Sequence, residues 1–383
     1  MIKIESPAYV LDQSKLEGNL ALIKEVSDRS GAEIILAFKA YSLWKTFPII
    51  RKYVAYSTAS SLWEARMAFE EMKNLAHTFS PVYRDEDMQE ILKYSSHLTF
   101  NSLSQFNHFI DKDGHCKMAE GLDHKVSFGL RINPEYSPVE TALYNPCSPG
   151  SRFGVMAQDL PDELPKGIEG FHCHVLCESG SAHLKKQLEA IENNFGKYLS
   201  SLKWLNLGGG HLMTREGYDI DLLILTLKEF RKKYPNLKII LEPGSAFGWQ
   251  TGYLKSTILD IVENKGIKTA ILDVSFTCHM PDCLEMPYKP VVRGAYQDPI
   301  EDKPTYRLGG CSCLAGDFIG DWSFDQPLQI GDTIIFEDML HYTTVKTTMF
   351  NGVKHPSIYL INKEKEAILL KKYEYEDYKN RMD

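Results

Sequence analysis

Residues 168–175 read IEGFHCHV, a short apolar run rich in aromatic and β-branched residues, which marks a strand rather than a helix. Alternation along it puts His172 and His174 on one face. Outward from this run the same kind of segment recurs at 34–39 (IILAFK), 54–60 (VAYSTAS), 75–81 (LAHTFSP), 98–102 (LTFNS), 126–133 (VSFGLRIN), 204–209 (WLNLGG) and 238–244 (KIILEPG), eight in all. Helical stretches separate them. Ser61 and Glu64 form a capping box ahead of Leu62, Ala65, Phe69 and Met72, and Leu184, Leu188, Ile191 and Phe195 repeat with helical spacing. Eight β/α units predict an α/β fold of the (β/α)8 TIM-barrel type. The rival, a doubly wound sheet, carries a glycine fingerprint after its first strand that is missing here.

After Gly244 the pattern changes to strands at 253–262, 267–275, 333–337, 357–361 and 367–370, with a turn at 263–266. This predicts a C-terminal all-β domain. A strand at 8–11 precedes the first helix, is spare to the barrel and is free to pair with that domain. The expected division is 13–245 for the barrel, with 1–12 and 246–383 for the β-domain.

The 383 residues are 43% hydrophobic and 25% charged, as in ordinary globular chains. The formal charge of −8 is the wrong sign for coating a nucleic acid and favours a small cationic ligand. There is no apolar run of membrane-spanning length, and MIKIESP at the start lacks the apolar core of a signal peptide. A cytoplasmic location is expected, with eight cysteines that are reduced rather than a disulfide framework.

In a barrel of this kind, chemistry gathers where strands end at the carboxyl face. Lys39 closes the first strand after five apolar residues, where an ammonium must be paired, neutralised or converted to an imine. A structural lysine facing a carboxylate is the plain alternative. His172 and His174, with Cys177 nearby, invite a zinc reading. The amidohydrolase-type barrels put that pair on the first strand, and the remaining strand ends do not complete a ligand set, so no metal is expected. Strand seven ends in Gly208, Gly209 and Gly210, whose backbone can cradle an anion, and strand eight ends in Glu242. A lysine, an imidazole, a phosphate cradle and a carboxylate at four strand ends answer to one cofactor, pyridoxal phosphate. Glu242, if it is not merely a turn cap, keeps the ring nitrogen protonated and the ring a strong electron sink, which favours decarboxylation over racemisation.

These residues, together with SPAYVLD (6–12), LAFKA (36–40), FHCHVLCE (171–178), LGGGH (207–211), HMPDCLEMPY (279–288), CSCLAGDFIGDW (311–322), HYTTVKTTMFNG (341–352) and YEDYKNRM (375–382), resemble the fold-type III pyridoxal phosphate decarboxylases over nearly the whole chain. Within that family they are most similar to the carboxynorspermidine/carboxyspermidine branch, which implies a role in polyamine biosynthesis. The resemblance implies that Lys39 takes the cofactor's aldehyde, His174 stacks on its ring, Glu242 pairs with its nitrogen, and Gly208, Gly209, Gly210 and Tyr342 hold its phosphate. It further implies that Cys313 is the catalytic acid, contributed across a homodimer. On the residues alone Cys313 reads equally as a thiol beside Cys311. The amine tail of the substrate requires carboxylates, and the candidates are Glu178, Asp273, Asp282 and Asp317, with Glu178 and Asp273 favoured.

Two positions depart from the wider family: Ser245 follows Glu-Pro-Gly where an arginine is usual, and Cys177 stands where a phosphate-binding serine is usual. The missing arginine removes a partner for a distal carboxylate and argues against diaminopimelate. Other readings are a decarboxylase of diaminopimelate, ornithine, lysine or arginine, and a non-catalytic homologue that binds the cofactor.

Overall fold

The computed structural model describes residues 4–383, so the first three residues of the MIKIESP reading lie outside the described residues. The chain divides into two compact units, one of residues 19–39 and 44–247, the other of 1–18, 40–43 and 248–383.

The larger unit is the barrel. Its strands are all parallel: Glu33–Ile34 and Leu36–Ala37, then Ser57–Ala59, Ala76–Phe79, Ser95–Phe100, Ser127–Arg131, Ile168–His172, Trp204–Asn206 and Lys238–Leu241. The first two pieces are one strand that closes the ring: Glu33–Ile34 pairs with the eighth strand and Leu36–Ala37 with the second. At this seam the Ile35 N–H goes to Leu241 O and the Leu36 N–H to Tyr56 O.

All eight predicted runs are strands, but seven of the eight strands are shorter than their apolar runs, because the polar residues at the ends turn off the ladder into the carboxyl-end loops. The fourth strand starts earlier than expected, at Ser95. Its hydroxyl bonds Ile91 O and Thr78 Oγ1, both at 2.7 Å, so a polar residue is satisfied inside. At one end of the barrel Ile35, Trp204 and Ile240 form a buried cluster. Gly129 and Gly170 are glycine because the Trp204 indole occupies the space that a Cβ would fill at either position.

The helices follow their stripes. In Ser181–Leu199 the predicted residues Leu184, Leu188, Ile191 and Phe195 are all buried. Ser61 caps helix Leu62–Met67 by accepting the Glu64 N–H at 3.2 Å, but Glu64 reaches the Ser60 N–H, at 2.6 Å, instead of closing the box on Ser61. No described helix is long and apolar enough to cross a membrane.

The second unit is built on one mixed sheet, in the order Ala295–Tyr296, Phe318–Phe324, Thr305–Gly309, Ile267–Leu272, Gly252–Asn264, Ala8–Asp12, Ser357–Ile361, Ala367–Lys371, with Thr333–Glu337 also on Gly252–Asn264. Ala8–Asp12 lies antiparallel to Gly252–Asn264 and parallel to Ser357–Ile361. The turn at 263–266 is a two-residue hairpin loop with Lys265 and Gly266 both at positive φ, 51° and 80°.

Three strands, Ala295–Tyr296, Thr305–Gly309 and Phe318–Phe324, were not expected, because the first is only two residues long and the others mix polar or charged residues with apolar ones. Beside its sheet the unit carries the short helices Phe276–His279, Pro281–Glu285 and Tyr375–Lys379.

Candidate active site

Four strand ends of the barrel converge through side chains. Lys39 lies two residues beyond Leu36–Ala37, and its Nζ is 3.1 Å from His174 Nε2, two residues beyond Ile168–His172. The other ring nitrogen, Nδ1, accepts the Gly209 N–H at 3.0 Å. That bond fixes the tautomer: a neutral imidazole accepting at Nδ1 carries its proton on Nε2 and donates it to the lysine. The lysine must then be a neutral amine.

The electrostatics agree. Burial, then Lys39 and Arg131, hold His174 well below its usual range. Burial also lowers Lys39, with Arg131 adding to it and Glu242 opposing. The Lys39 side chain is reachable from solvent in its concave setting, yet the surrounding protein leaves an ammonium there poorly hydrated.

Glu242, one residue beyond Lys238–Leu241, is 8% exposed. Asn206 Nδ2 donates to its Oε1 at 2.6 Å, and His172 Nε2 lies 3.3 Å from its Oε2. Burial alone would raise this carboxyl. His172, Asn206 and Lys39 outweigh burial and hold it below its usual range, so it is ionised. Asn206 also turns its Oδ1 to the Gly208 N–H at 2.9 Å, and Gly208 O accepts the Glu242 N–H at 2.8 Å. One asparagine therefore ties the glycine run to the carboxylate.

The glycines are required by their surroundings. Gly208 and Gly210 have φ of 70° and 86°, and a Cβ at Gly209 would meet Glu242 O at 2.5 Å. As an anion cradle the run is narrower than expected. The N–H groups of Gly208 and Gly209 are engaged by Asn206 and His174, and among the described residues only that of Gly210 donates no hydrogen bond.

Arg131 was not singled out from the sequence. Its Nη2 donates to His174 O at 3.0 Å, and its guanidinium lies over the rings of both Phe79 and Phe153, at 4.6 and 4.2 Å. Burial brings it down to about 10, so it remains a cation. Asn206 was missed as well, although a lone amide inside the run WLNLGG was its signal. Cys173, between the two histidines, lies on the other face of the chain from them, where burial pushes its thiol up to about 12. Glu178 is exposed, has a φ of 44° in the left-handed region, and has no carboxylate partner among the described residues.

The remaining candidates lie in the sheet unit. Cys313 is exposed, and its N–H donates to Asn351 Oδ1 at 2.9 Å. Asp317 clamps the same loop. Its Oδ2 takes the Ser312 hydroxyl at 2.6 Å and its Oδ1 the Thr277 N–H at 3.0 Å. Asp273 accepts from Ser6 Oγ at 2.5 Å and from the Thr257 N–H at 2.8 Å. Asp282 is paired with Lys346 at 2.7 Å. The Tyr342 N–H donates to Ala40 O at 2.7 Å, with Tyr342 at a φ of 54°. Three of the four proposed tail carboxylates thus already have partners of their own.

The family described as "Pyridoxal-dependent decarboxylase, C-terminal sheet domain" matches residues 8–339. A carboxyaminopropylagmatine decarboxylase of Synechocystis sp. is 52% identical over 99% of this chain and 96% of its own. A carboxynorspermidine/carboxyspermidine decarboxylase of Campylobacter jejuni is 40% identical over 98% of both chains. The crystal structure of carboxynorspermidine decarboxylase complexed with norspermidine, from Campylobacter jejuni, superposes with a TM-score of 0.89 at 39% identity, over 99% of this chain and 100% of that one.

Proposed function

We propose, from the premise that the chain belongs to the pyridoxal-dependent decarboxylases and works with pyridoxal phosphate, that it removes the α-carboxylate of carboxynorspermidine and/or carboxyspermidine to give norspermidine or spermidine. The observation that supports this reading most is the coupled set Lys39–His174–Gly209 and Glu242–Asn206–Gly208 at four strand ends.

The residues fit the cofactor. There is an amine held neutral for an aldehyde, an imidazole held in one tautomer, an ionised carboxylate for a pyridine nitrogen, and a glycine turn in which a side chain would collide with backbone. When bound, pyridoxal phosphate supplies an electron sink conjugated to the substrate's α-carbon. Lys39, to which His174 donates, would meet the aldehyde as a neutral amine. Glu242 would hold a proton at the ring nitrogen. His174, held at Nδ1 by the Gly209 N–H, would lie against the ring, and the Gly210 N–H would be available to the phosphate. Cys313 would supply the proton that the α-carbon needs once carbon dioxide has left, in a homodimer with shared active sites in the cytoplasm. Among the acids, Glu178 is the one without an internal partner, so it takes the cationic tail.

A second reading rests on the 52% identity to the Synechocystis relative. Carboxyaminopropylagmatine offers the same amino-acid head, with a guanidinium in place of a terminal amine, and a carboxylate pairs with either. Carbon dioxide release from carboxynorspermidine, carboxyspermidine, carboxyaminopropylagmatine, ornithine, lysine, arginine and meso-diaminopimelate tests both. Release from the first two fastest supports the first reading, and release from the third alone replaces it with the second. Release only from a simple amino acid overturns both.

A further inference from the structure

The inside of a (β/α)8 barrel is ordinarily filled by branched apolar side chains. Next to Glu242 this one is lined by His77, His97, Thr99, His172 and Asn206, with Trp204. Each buried imidazole has a donor and an acceptor that water no longer serves, so each calls for a physical reason. His77 and His97 supply one for each other, since their rings stack with centroids 3.9 Å apart and His97 Nδ1 is 3.0 Å from Ser96 Oγ.

The His172 ring packs against that of Phe79, with centroids 5.1 Å apart, a contact that leaves its nitrogens unserved. His172 is 3% exposed, and neither ring nitrogen makes a well-aligned hydrogen bond among the described residues. The polar group it faces is Glu242 Oε2, 3.3 Å from its Nε2. Arg131, His172 and Asn206 are register partners across strands five, six and seven. Asn206 holds one carboxylate oxygen, and His172, on the neighbouring strand, faces the other. The His172 ring is also parallel to that of His174, at 6° with centroids 6.5 Å apart.

We propose that His172 is a positioning residue for Glu242: its Nε2–H, 3.3 Å from Oε2 and off the ideal line of a hydrogen bond, steers that oxygen while Asn206 holds Oε1, so the carboxylate meets the cofactor's ring nitrogen in one orientation. This rests on the reading of Glu242 as that nitrogen's partner. A histidine that only filled space would affect cofactor binding as a whole, whereas a positioning residue affects one bond. The distinction is measurable without turnover.

The test compares dissociation constants of pyridoxal phosphate and its 1-deaza analogue, in which C–H replaces the ring nitrogen, by absorbance titration of cofactor-stripped full-length protein. Both ligands keep the aldehyde and the phosphate, so their ratio isolates the nitrogen's bond. The parent is expected to prefer pyridoxal phosphate by about tenfold or more, the size of a charge-assisted hydrogen bond. His172→Leu is expected to lose most of that preference, and His172→Gln, which keeps an N–H donor, to recover it. Equal weakening of both ligands in His172→Leu, or an unchanged ratio, overturns the proposal. Should circular dichroism show His172→Leu unfolded, His172→Asn, whose amide is too short to reach Oε2, takes its place with the same expectation. Glu242→Gln separates the two levels. If it abolishes the preference and the His172 variant does not, only the role of His172 falls. If the parent has no preference, or Glu242→Gln keeps it, the reading of Glu242 falls with it.

Discussion

Replacing Asn206 by leucine keeps the side chain's volume and removes two bonds at once. The parent amide gives Nδ2–H to the ionised Glu242 at 2.6 Å and takes the Gly208 N–H at 2.9 Å, and it is 4% exposed. A hydrogen bond to a charged group contributes about 1.5–3 kcal/mol and a neutral one about 0.5–1.5 kcal/mol, so the loss is about 2–4.5 kcal/mol in the cofactor-free protein. Two further effects follow. Glu242, with one partner fewer, rises toward the usual carboxylate range, and the glycine turn loses the bond that sets its first residue. Urea unfolding and pyridoxal phosphate titration should therefore both worsen. Asn206→Asp separates the contributions, since it still accepts from Gly208 but places a second carboxylate against Glu242. It should bind the phosphate better than Asn206→Leu while raising Glu242 further. An Asn206→Leu protein within about 0.5 kcal/mol of the parent, with unchanged cofactor affinity, would refute the reasoning.

Gly170→Ala should destabilise the barrel by about 1–3 kcal/mol in chemical denaturation, because its Cβ would lie within the Trp204 indole, which is 3% exposed and anchored through Nε1 to Ser127 Oγ. Burial opposes ionisation of Glu169, but Lys125, Lys203 and Ser127 outweigh it and bring Glu169 down to about 2. A lowered carboxylate stabilises above its unfolded pKa, so this contribution is lost as pH falls from the ordinary glutamate range toward 2, and Glu169→Gln should flatten that part of the stability profile. Asp317→Ala frees Ser312 and the Thr277 N–H. It should change the alkylation rate of Cys313 by iodoacetamide severalfold, and an unchanged rate would show that the loop holds itself.

The barrel was legible because parallel strands buried on both faces must be apolar, and eight such runs can be counted. The site was legible where a residue type is out of place for burial: Lys39 after IILAF, Glu242 after KIIL, two histidines in one strand. Asn206, Arg131 and the partnership of His172 were not, because their roles are pairings across strands 34–70 residues apart in the chain. The sequence offers Asp273, Asp282 and Asp317 as tail candidates by their places in its motifs and in the resemblance, which say nothing of their neighbours. Their partners Ser6, Lys346 and Ser312 appear only once the sheet unit is folded. The three unforeseen strands had too few apolar residues to separate from loops, although Trp322 on one of them is fully buried.

The central claim is that Lys39 holds pyridoxal phosphate covalently. Borohydride reduction of the cofactor-loaded protein, followed by peptide mass spectrometry, should leave one stable pyridoxyl group, on Lys39. An adduct on another lysine, or none on a protein that binds the cofactor, would contradict it.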